Sequence, residues 1–382
     1  MITEVYVKNF RSIGEETIHL GKMTALVGKN GAGKSSFVDA LRFVRDALSL
    51  GLEDAVLVRH GISALRRWAP TRPYDIEIRI KIDAYRANGI YGFTLASGGE
   101  GDFRVKHEFG EVSGYHENDP KKTTRFERRG KEWIHLPDKS GRSSPVGTLD
   151  DTALALPSIG FFTPAFLRLQ RFLKEMTFYT IFPNTLREPQ KPSPSRTLTD
   201  HGENLATIAR RIKVAEKHLE IVSTLNRVVG GIQDLEVQQA GGFLVTQLLH
   251  SMGQDQTAWF DLSQESDGTL RLLGILVALS QRTGVSFIAV EEPELTLHPG
   301  ALGILCDILK ESALKRQLLI TTQSPDLISR FAASDLRVVE RTPSNATTIQ
   351  PIAEHQREAI EEQLFSEGDL LRIEGLHSSK VS

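Results

Sequence analysis

Met23-Thr24-Ala25-Leu26-Val27-Gly28-Lys29-Asn30-Gly31-Ala32-Gly33-Lys34-Ser35 is the stretch that decides the fold. Its first five residues are a short, mostly apolar run ending at glycine, as a buried strand does. Its last eight match the phosphate-loop pattern Gly-x-x-x-x-Gly-Lys-Ser in full. Beyond it, Phe37, Leu41, Val44 and Leu48 recur at helical spacing, so one face of the next helix turns to a core. Strand, loop and helix in this order form a βα unit. In such a loop the glycines let backbone N–H groups converge on phosphate oxygens, and the helix N-terminus adds its dipole. Lys34 is then placed to neutralise the β- and γ-phosphates and the Ser35 hydroxyl to ligate Mg²⁺. Gly28, Lys29, Asn30, Gly31, Ala32, Gly33 and Ser36 complete the expected nucleotide contacts, with ATP and Mg²⁺ as cofactors. A glycine-rich turn without function is the alternative, and the flanking strand and helix speak against it.

The second informative stretch is Phe287-Ile288-Ala289-Val290-Glu291-Glu292-Pro293-Glu294, an apolar strand ending in paired carboxylates. A buried strand rarely finishes on two acids unless their charge has a partner, because an unpaired buried carboxylate is costly. The natural partner is the Mg²⁺ expected at Ser35. Glu291 then holds the ion through water, and Glu292 polarises the attacking water as general base. A surface acidic turn is the competing reading.

Between these stretches the pattern changes. Ile76, Ile78, Ile80 and Ile82 alternate with charged residues, a strand signature that continues in antiparallel form to about residue 137. Residues 138–150 read as an exposed loop. Residues 161–181 and 203–229 read as helical. In the second of these, Leu205, Ile208, Ile212, Ala215, Leu219 and Val222 form a coiled-coil-like seam. Its ~26 residues span only ~40 Å, so a long coiled-coil arm is not expected. Gly241-Gly242 reads as a hairpin turn, Leu270 to Leu279 as a buried helix, residues 300–314 as a helix, and Leu318 to Thr321 as a strand.

The chain has 382 residues, 40% of them hydrophobic and 25% charged, with a formal net charge of −2. These are globular proportions, and whole-chain disorder is excluded. No apolar run approaches the ~18 residues needed to span a bilayer, and Met1-Ile2-Thr3-Glu4 lacks the features of a signal peptide, so a cytoplasmic location without a membrane partner is expected. The single cysteine, Cys306, excludes an internal disulfide and reads as core packing. Near-neutral charge means that any nucleic-acid contact must come from a local patch.

Three segments together resemble a known family. Val7-Lys8-Asn9-Phe10-Arg11-Ser12, the phosphate loop, and Val290-Glu291-Glu292-Pro293-Glu294 through Leu297-His298-Pro299 look like the ABC-type ATPase heads of the RecF, SMC and OLD families. More closely, the chain resembles the compact AAA-family ATPases found beside nucleases in bacterial antiphage defence operons. The likeness is strongest at residues 1–70, 178–210 and 255–340. It implies an α/β fold: a P-loop NTPase core of ABC/SMC-head type, with a β-rich lobe and a helical insertion. The expected domains are a discontinuous core at 1–70 and 255–350, a β-rich lobe at 71–150, a helical insertion with a β-hairpin return at 151–254, and a tail at 351–382.

The resemblance also implies roles for individual residues. Ser266-Asp267-Gly268-Thr269 occupies the place of the ABC signature, where a serine and a helix N-terminus from one subunit reach the γ-phosphate held by the other. Asp267 stands where the signature has glycine, and Ser266 also reads as an ordinary N-cap. His298 falls in the D-loop, which crosses the dimer interface. Gln323 holds the switch position, where an amide can bind phosphate or water but cannot change charge as histidine does. Its alternative is a strand-end amide satisfying loop backbone. Arg11 matches the arginine that approaches nucleotide phosphates, and Gln170 is a candidate for the Q-loop glutamine by order along the chain, with a solvated helix position as the equal alternative.

A homodimer or higher oligomer follows from this resemblance, with a separate nuclease or toxin effector as partner. Two rival functions remain in view: a RecF-like DNA-binding ATPase of recombination or repair, and the ATPase subunit of a transporter. The DNA reading draws on Lys121, Lys122, Arg125, Arg128, Arg129 and Lys131, with Phe126 and Trp133 nearby, a run that is more often a solvated strand face. The acidic residues from Glu354 to Asp369 invite comparison with nuclease metal clusters, but only ~60 residues follow Gln323, short of a usual ~100-residue domain. A built-in TOPRIM nuclease is therefore not expected.

Overall fold

A computed structural model describes residues 1–68, 74–84, 87–97, 102–114, 123–136, 144–215, 218–281, 285–373 and 375–379. The chain forms two compact units. One contains residues 1–176, 333–362 and 376–382, and the other residues 177–332 and 363–375. These boundaries fall elsewhere than the motifs place them. The β-rich segment groups with the phosphate loop, while residues 255–332 group with the helical segment.

In the first unit the strands are β1 (Ile2–Phe10), β2 (Ile13–His19), β3 (Met23–Val27), β4 (Ile76–Ala84), β5 (Ala87–Ser97), β6 (Phe103–Ser113), β7 (Thr123–Arg129), β8 (Glu132–Leu136) and β9 (Ser144–Thr148). Two later strands, β16 (Leu336–Arg341) and β17 (Thr347–Gln350), insert between β3 and β2, giving the order β3-β16-β17-β2-β1-β4-β5-β6-β7-β8-β9. The expected β-rich lobe is thus a continuation of the β1–β2 ribbon. Pairing is parallel between β16 and β3, and antiparallel from β2 through β9. Ile76, Ile78, Ile80 and Ile82 are all buried, as their alternation requires. Strand β9 corrects the loop expected over 138–150, whose residues 138–143 lie outside the described set.

The expected helix over 161–181 is broken. Helices Leu156–Phe162 and Pro164–Lys174 are separated at Thr163, whose extended backbone is what a residue before proline prefers. Residues Thr177–Tyr179 form strand β10 of the second unit.

One buried polar cluster anchors this first unit. Glu108 on β6 accepts hydrogen bonds from Tyr91 Oη (2.9 Å) and from the backbone N–H groups of Ala155 (2.6 Å) and Leu156 (2.9 Å). Arg128 on β7 donates to the carbonyls of Gly130 (2.6 Å), Asp150 (2.7 Å) and Ala153. Burial pushes the Glu108 carboxyl above its ordinary value of 4.5, against the pull of these donors and of Arg128. A folded-state value above the unfolded one adds stability that is full below the unfolded pKa and is lost as pH rises through the folded one. The contribution of this one group is therefore expected to shrink as pH rises above about 4.5, so that the difference in melting temperature between the native protein and Glu108→Gln changes with pH. Parallel melting profiles for the two proteins would refute it.

The second unit has a parallel sheet β10-β14-β15, with β14 at Phe287–Glu291 and β15 at Gln317–Thr322. It also has an antiparallel sheet of β11 (Ile232–Ala240), β12 (Phe243–Gly253) and β13 (Gln256–Asp261), with the β11–β12 hairpin turned at Gly241-Gly242 as expected. Helix Asp267–Ser280 is buried from Thr269 through Leu279, which explains an apolar character on every face. The expected seam over 203–229 does not run through. Helix Leu205–Val214 ends at Ala215, helix His218–Val229 follows, and Leu219 is exposed while Ile221, Val222 and Leu225 are buried. Cys306 is buried and unpaired. Among the described residues, no helix is long and apolar enough to cross a membrane.

Candidate functional site

The phosphate loop lies in the first unit, between the fully buried β3 and the helix Lys34–Ser49, whose buried set includes Phe37, Leu41, Val44 and Leu48. Gly33 caps that helix at φ +117°, and a Cβ there would collide with the Thr347 side chain. Only glycine meets both conditions. Lys34 is buried, and its Nζ donates to the loop's own carbonyls, Gly28 O at 2.7 Å and Lys29 O at 3.3 Å. The ammonium is thus held inside the ring of backbone that would surround a phosphate. Ser35 is exposed, and its hydroxyl engages no residue among the described ones. Ser36 Oγ accepts from Ser12 Oγ at 2.9 Å.

A chain of hydroxyls braces this loop. Thr347 Oγ1 lies 2.7 Å from the Ala32 carbonyl and 2.8 Å from Ser12 Oγ, and Ser12 reaches Ser36. Arg341 Nε donates to the Gly31 carbonyl at 3.0 Å. Neither Thr347 nor Arg341 is legible in sequence, because both are ordinary strand-end residues more than 300 positions from the loop.

Arg11 sits at φ +48°, and its Nε donates to Asp39 Oδ2 at 2.6 Å. Asp39 also accepts from Arg59 Nε at 3.0 Å, and Arg59 Nη2 reaches Asp46 Oδ2 at 2.7 Å. Arg11 is therefore tethered to the helix that begins at Lys34. Its two terminal nitrogens make no hydrogen bond among the described residues, so they remain available to an anion. Gln170 is buried beside Gly160, where an added Cβ would meet its Oε1 at 2.6 Å. That position is neither a solvated helix face nor an exposed ligand.

The remaining candidates lie in the second unit. Glu291, the last residue of β14, is buried and accepts from Thr180 Oγ1 at 3.1 Å. Glu292 takes φ +44°, with its N–H bonded to the Thr321 carbonyl at 2.9 Å. Adjacent residues of a strand point to opposite sides. The left-handed turn at Glu292 breaks that alternation and re-aims the second acid. Glu294 is buried, and its Oε1 accepts from Thr322 Oγ1 (2.5 Å) and from Gln323 N–H (3.3 Å), tying the acidic turn to the end of β15. Burial pushes its carboxyl up. The Gln323 side chain itself is half-buried and makes no hydrogen bond among the described residues. His298 is exposed and its Nδ1 accepts from Gly300 N–H at 3.1 Å.

Ser266 is an exposed N-cap whose Oγ accepts from Thr269 N–H at 3.2 Å. Gly268 is packed so closely on the turn after β14 that a Cβ would stand 2.8 Å from the Thr296 carbonyl. Asp267 is paired with Arg187 at 2.6 Å, and the same guanidinium donates to the Glu265 carbonyl at 3.0 Å. The carboxylate that departs from the signature is therefore accompanied by a cation supplied from 80 residues away.

Among the described residues, the cations of the basic run at 121–133 are paired or buried. Arg128 is fully buried, and so is Phe126. Arg125 pairs with Glu111 (2.8 Å), Arg129 with Glu127 (2.8 Å) and Lys131 with Asp151 (3.4 Å). Lys121, Lys122 and the Trp133 side chain lie outside the described set. Of the tail acids, Glu354 and Glu361 pair with Arg357 and Asp369 with Arg372, each on its own helix or beside it. Among the described residues no three His, Cys, Asp or Glu side chains could hold a metal ion together.

The phosphate loop between β3 and the helix Lys34–Ser49, set in a mixed α/β architecture, has the fold of a P-loop ATPase. Residues 23–329 match the family described as "AAA domain, putative AbiEii toxin, Type IV TA system", and the chain belongs to that family. It is 24% identical over 375 residues to an OLD nuclease of Thermus scotoductus, an alignment covering 94% of this chain and 66% of that protein. Over 63 residues it is 40% identical to the DNA replication and repair protein RecF of Porphyromonas gingivalis, covering 16% of this chain and 17% of RecF. The chain thus spans just under two thirds of the one relative and a sixth of the other. Its fold is similar to an SMC head solved with the C-terminal winged-helix domain of ScpA, with a TM-score of 0.55, 14% identity, and coverage of 94% of this chain and 99% of that one.

Proposed function

We propose that this protein binds and hydrolyses ATP through a head-to-head dimer, and that the cycle controls a separate nuclease or toxin effector. The observation that carries the nucleotide reading is the Lys34 ammonium, buried against the Gly28 and Lys29 carbonyls within a loop that admits only glycine at position 33. A phosphate entering that loop replaces two neutral acceptors with a charged one, a stronger hydrogen-bond partner. Mg²⁺, when bound, supplies Lewis-acid neutralisation of the phosphate charge. The free Ser35 hydroxyl and the buried Glu291 suit a cation that keeps several waters and takes few protein ligands.

In this reading Glu292 takes the proton of the attacking water, and Gln323 orients that water or the γ-phosphate. Arg11 offers its terminal nitrogens to phosphate. Ser266 and the helix N-terminus behind it engage nucleotide held by a second copy, with Arg187 offsetting the Asp267 charge and His298 on the facing D-loop. Because each site needs both chains, nucleotide stabilises the dimer by mass action. The effector role is supported by the toxin system named in the family description and by the nuclease named in the relative. A DNA-clamping role receives no support from the described part of the basic run, where three cations are paired and the fourth is buried.

Lys34→Ala tests the nucleotide reading. Calorimetry with ATP and Mg²⁺ is expected to show at least about 100-fold weaker binding, because a charge-assisted phosphate contact and its desolvated site are lost together. Light scattering is expected to show ATP-dependent dimers for the native protein and monomers for the variant. Equal ATP affinity in both proteins would overturn the proposal.

A further inference from the structure

Helix Asp267–Ser280 holds a buried arginine for which the proposed cycle has so far no use. Arg271 is 6% exposed, and its Nε has no hydrogen-bond partner among the described residues. A buried cation in that condition is costly, and an apolar side chain of similar volume would serve stability as well or better. Acidic residues lie within electrostatic reach of it. Burial works against the charge of the guanidinium, and the carboxylates of Glu292, Glu294 and Asp267 favour it. Glu294 is orphaned in the matching way: it is 8% exposed, and its Oε2 is buried with no donor.

A second, independent observation places this arginine toward the acidic turn. Gly268 and Arg271 stand three residues apart and so share one helix face. At Gly268 that face touches the turn after Glu292, with 2.8 Å between a would-be Cβ and the Thr296 carbonyl. The turn carries two non-glycine residues in the left-handed region, Glu292 at φ +44° and Thr296 at φ +65°. Backbone of this kind persists only where its surroundings over-determine it, and it concentrates at functional sites.

Resting on the reading of Glu292 as general base, we infer that Arg271 is its positioning residue: the buried cation holds the Glu292 carboxylate in the orientation that activates water, with Glu294 sharing the charge. The role depends on a positive charge at this place, which lysine also supplies. Arg271, Glu292 and Glu294 all belong to one folding unit, so the arrangement is internal to it.

Steady-state ATP turnover tests this. Arg271→Met is expected to lower kcat about ten-fold with KM for ATP within about two-fold, since orientation and not nucleotide affinity is lost. Arg271→Lys is expected to recover most of the rate, and melting temperatures act as the control. If the methionine variant does not fold, Arg271→Gln replaces it with the same expected loss. A wild-type kcat in the uncharged variant, a parallel loss of kcat and ATP affinity, or a lysine variant as slow as the uncharged one would each overturn the inference. Normal turnover by Glu292→Gln would instead remove the base reading itself. A dead Glu292→Gln beside a normal Arg271→Met would remove only the positioning role.

Discussion

Glu292→Gln is expected to bind ATP with affinity within about two-fold of the native protein and to turn it over at least 10²-fold more slowly, the usual contribution of a positioned general base. The substitution is nearly isosteric. It leaves untouched the backbone features that hold this residue, namely its left-handed φ and the bond from its N–H to the Thr321 carbonyl. What glutamine loses is the capacity to take a proton. Binding and chemistry should therefore separate, and nucleotide-bound dimers should accumulate because the step that releases them is blocked. Single-turnover kinetics with size measurement checks both. Hydrolysis at the native rate would remove Glu292 as the base, and loss of ATP binding would mean that the residue contributes to affinity instead.

The second large effect concerns folding. Arg128→Met is expected to destabilise the first unit by about 3–5 kcal/mol, at roughly 1–1.5 kcal/mol for each of the three hydrogen bonds that its guanidinium makes. Three carbonyls lose their donor. For a unit of this size that corresponds to a fall of roughly 10 °C in melting temperature. Calorimetry is the measurement. A fall of only a degree or two would show that the cluster is replaceable by apolar packing.

The fate of Arg128 also shows where sequence reading stops. A run of cations in a β-rich segment has the same letters whether its members face solvent, a phosphate backbone or the carbonyls of a distant loop. Only the register that places Arg128 opposite the Asp150–Ala153 segment decides. The phosphate loop was legible because its chemistry is written in eight consecutive residues and confirmed by the strand and helix on either side. The acid-ended strand was legible for the same reason. The strain at Glu292 was not, since nothing in Glu-Glu-Pro-Glu announces a left-handed residue. Asp267 looked like damage to the signature when read alone, and Arg187, which answers it, lies 80 positions upstream. The seam over 203–229 misled because spacing by three and four continues in the letters across a point where the helix ends at Ala215. Strand β9 was missed because its Ser-, Pro- and Gly-containing sequence carries little β-propensity and is held by pairing with β8.

The hydroxyl brace of the phosphate loop has a consequence during synthesis. Thr347 touches both Ser12 and the Ala32 carbonyl, and strands β16 and β17 fill the gap between β3 and β2. A nascent chain that has displayed its whole nucleotide motif on the ribosome still lacks these supports until some 300 further residues have been added. Domains generally fold as units while the chain emerges, and this one must wait for its own far end. On the proposed reading, nucleotide binding then comes only after β14 and the helix Asp267–Ser280, both encoded before residue 347, have also been made.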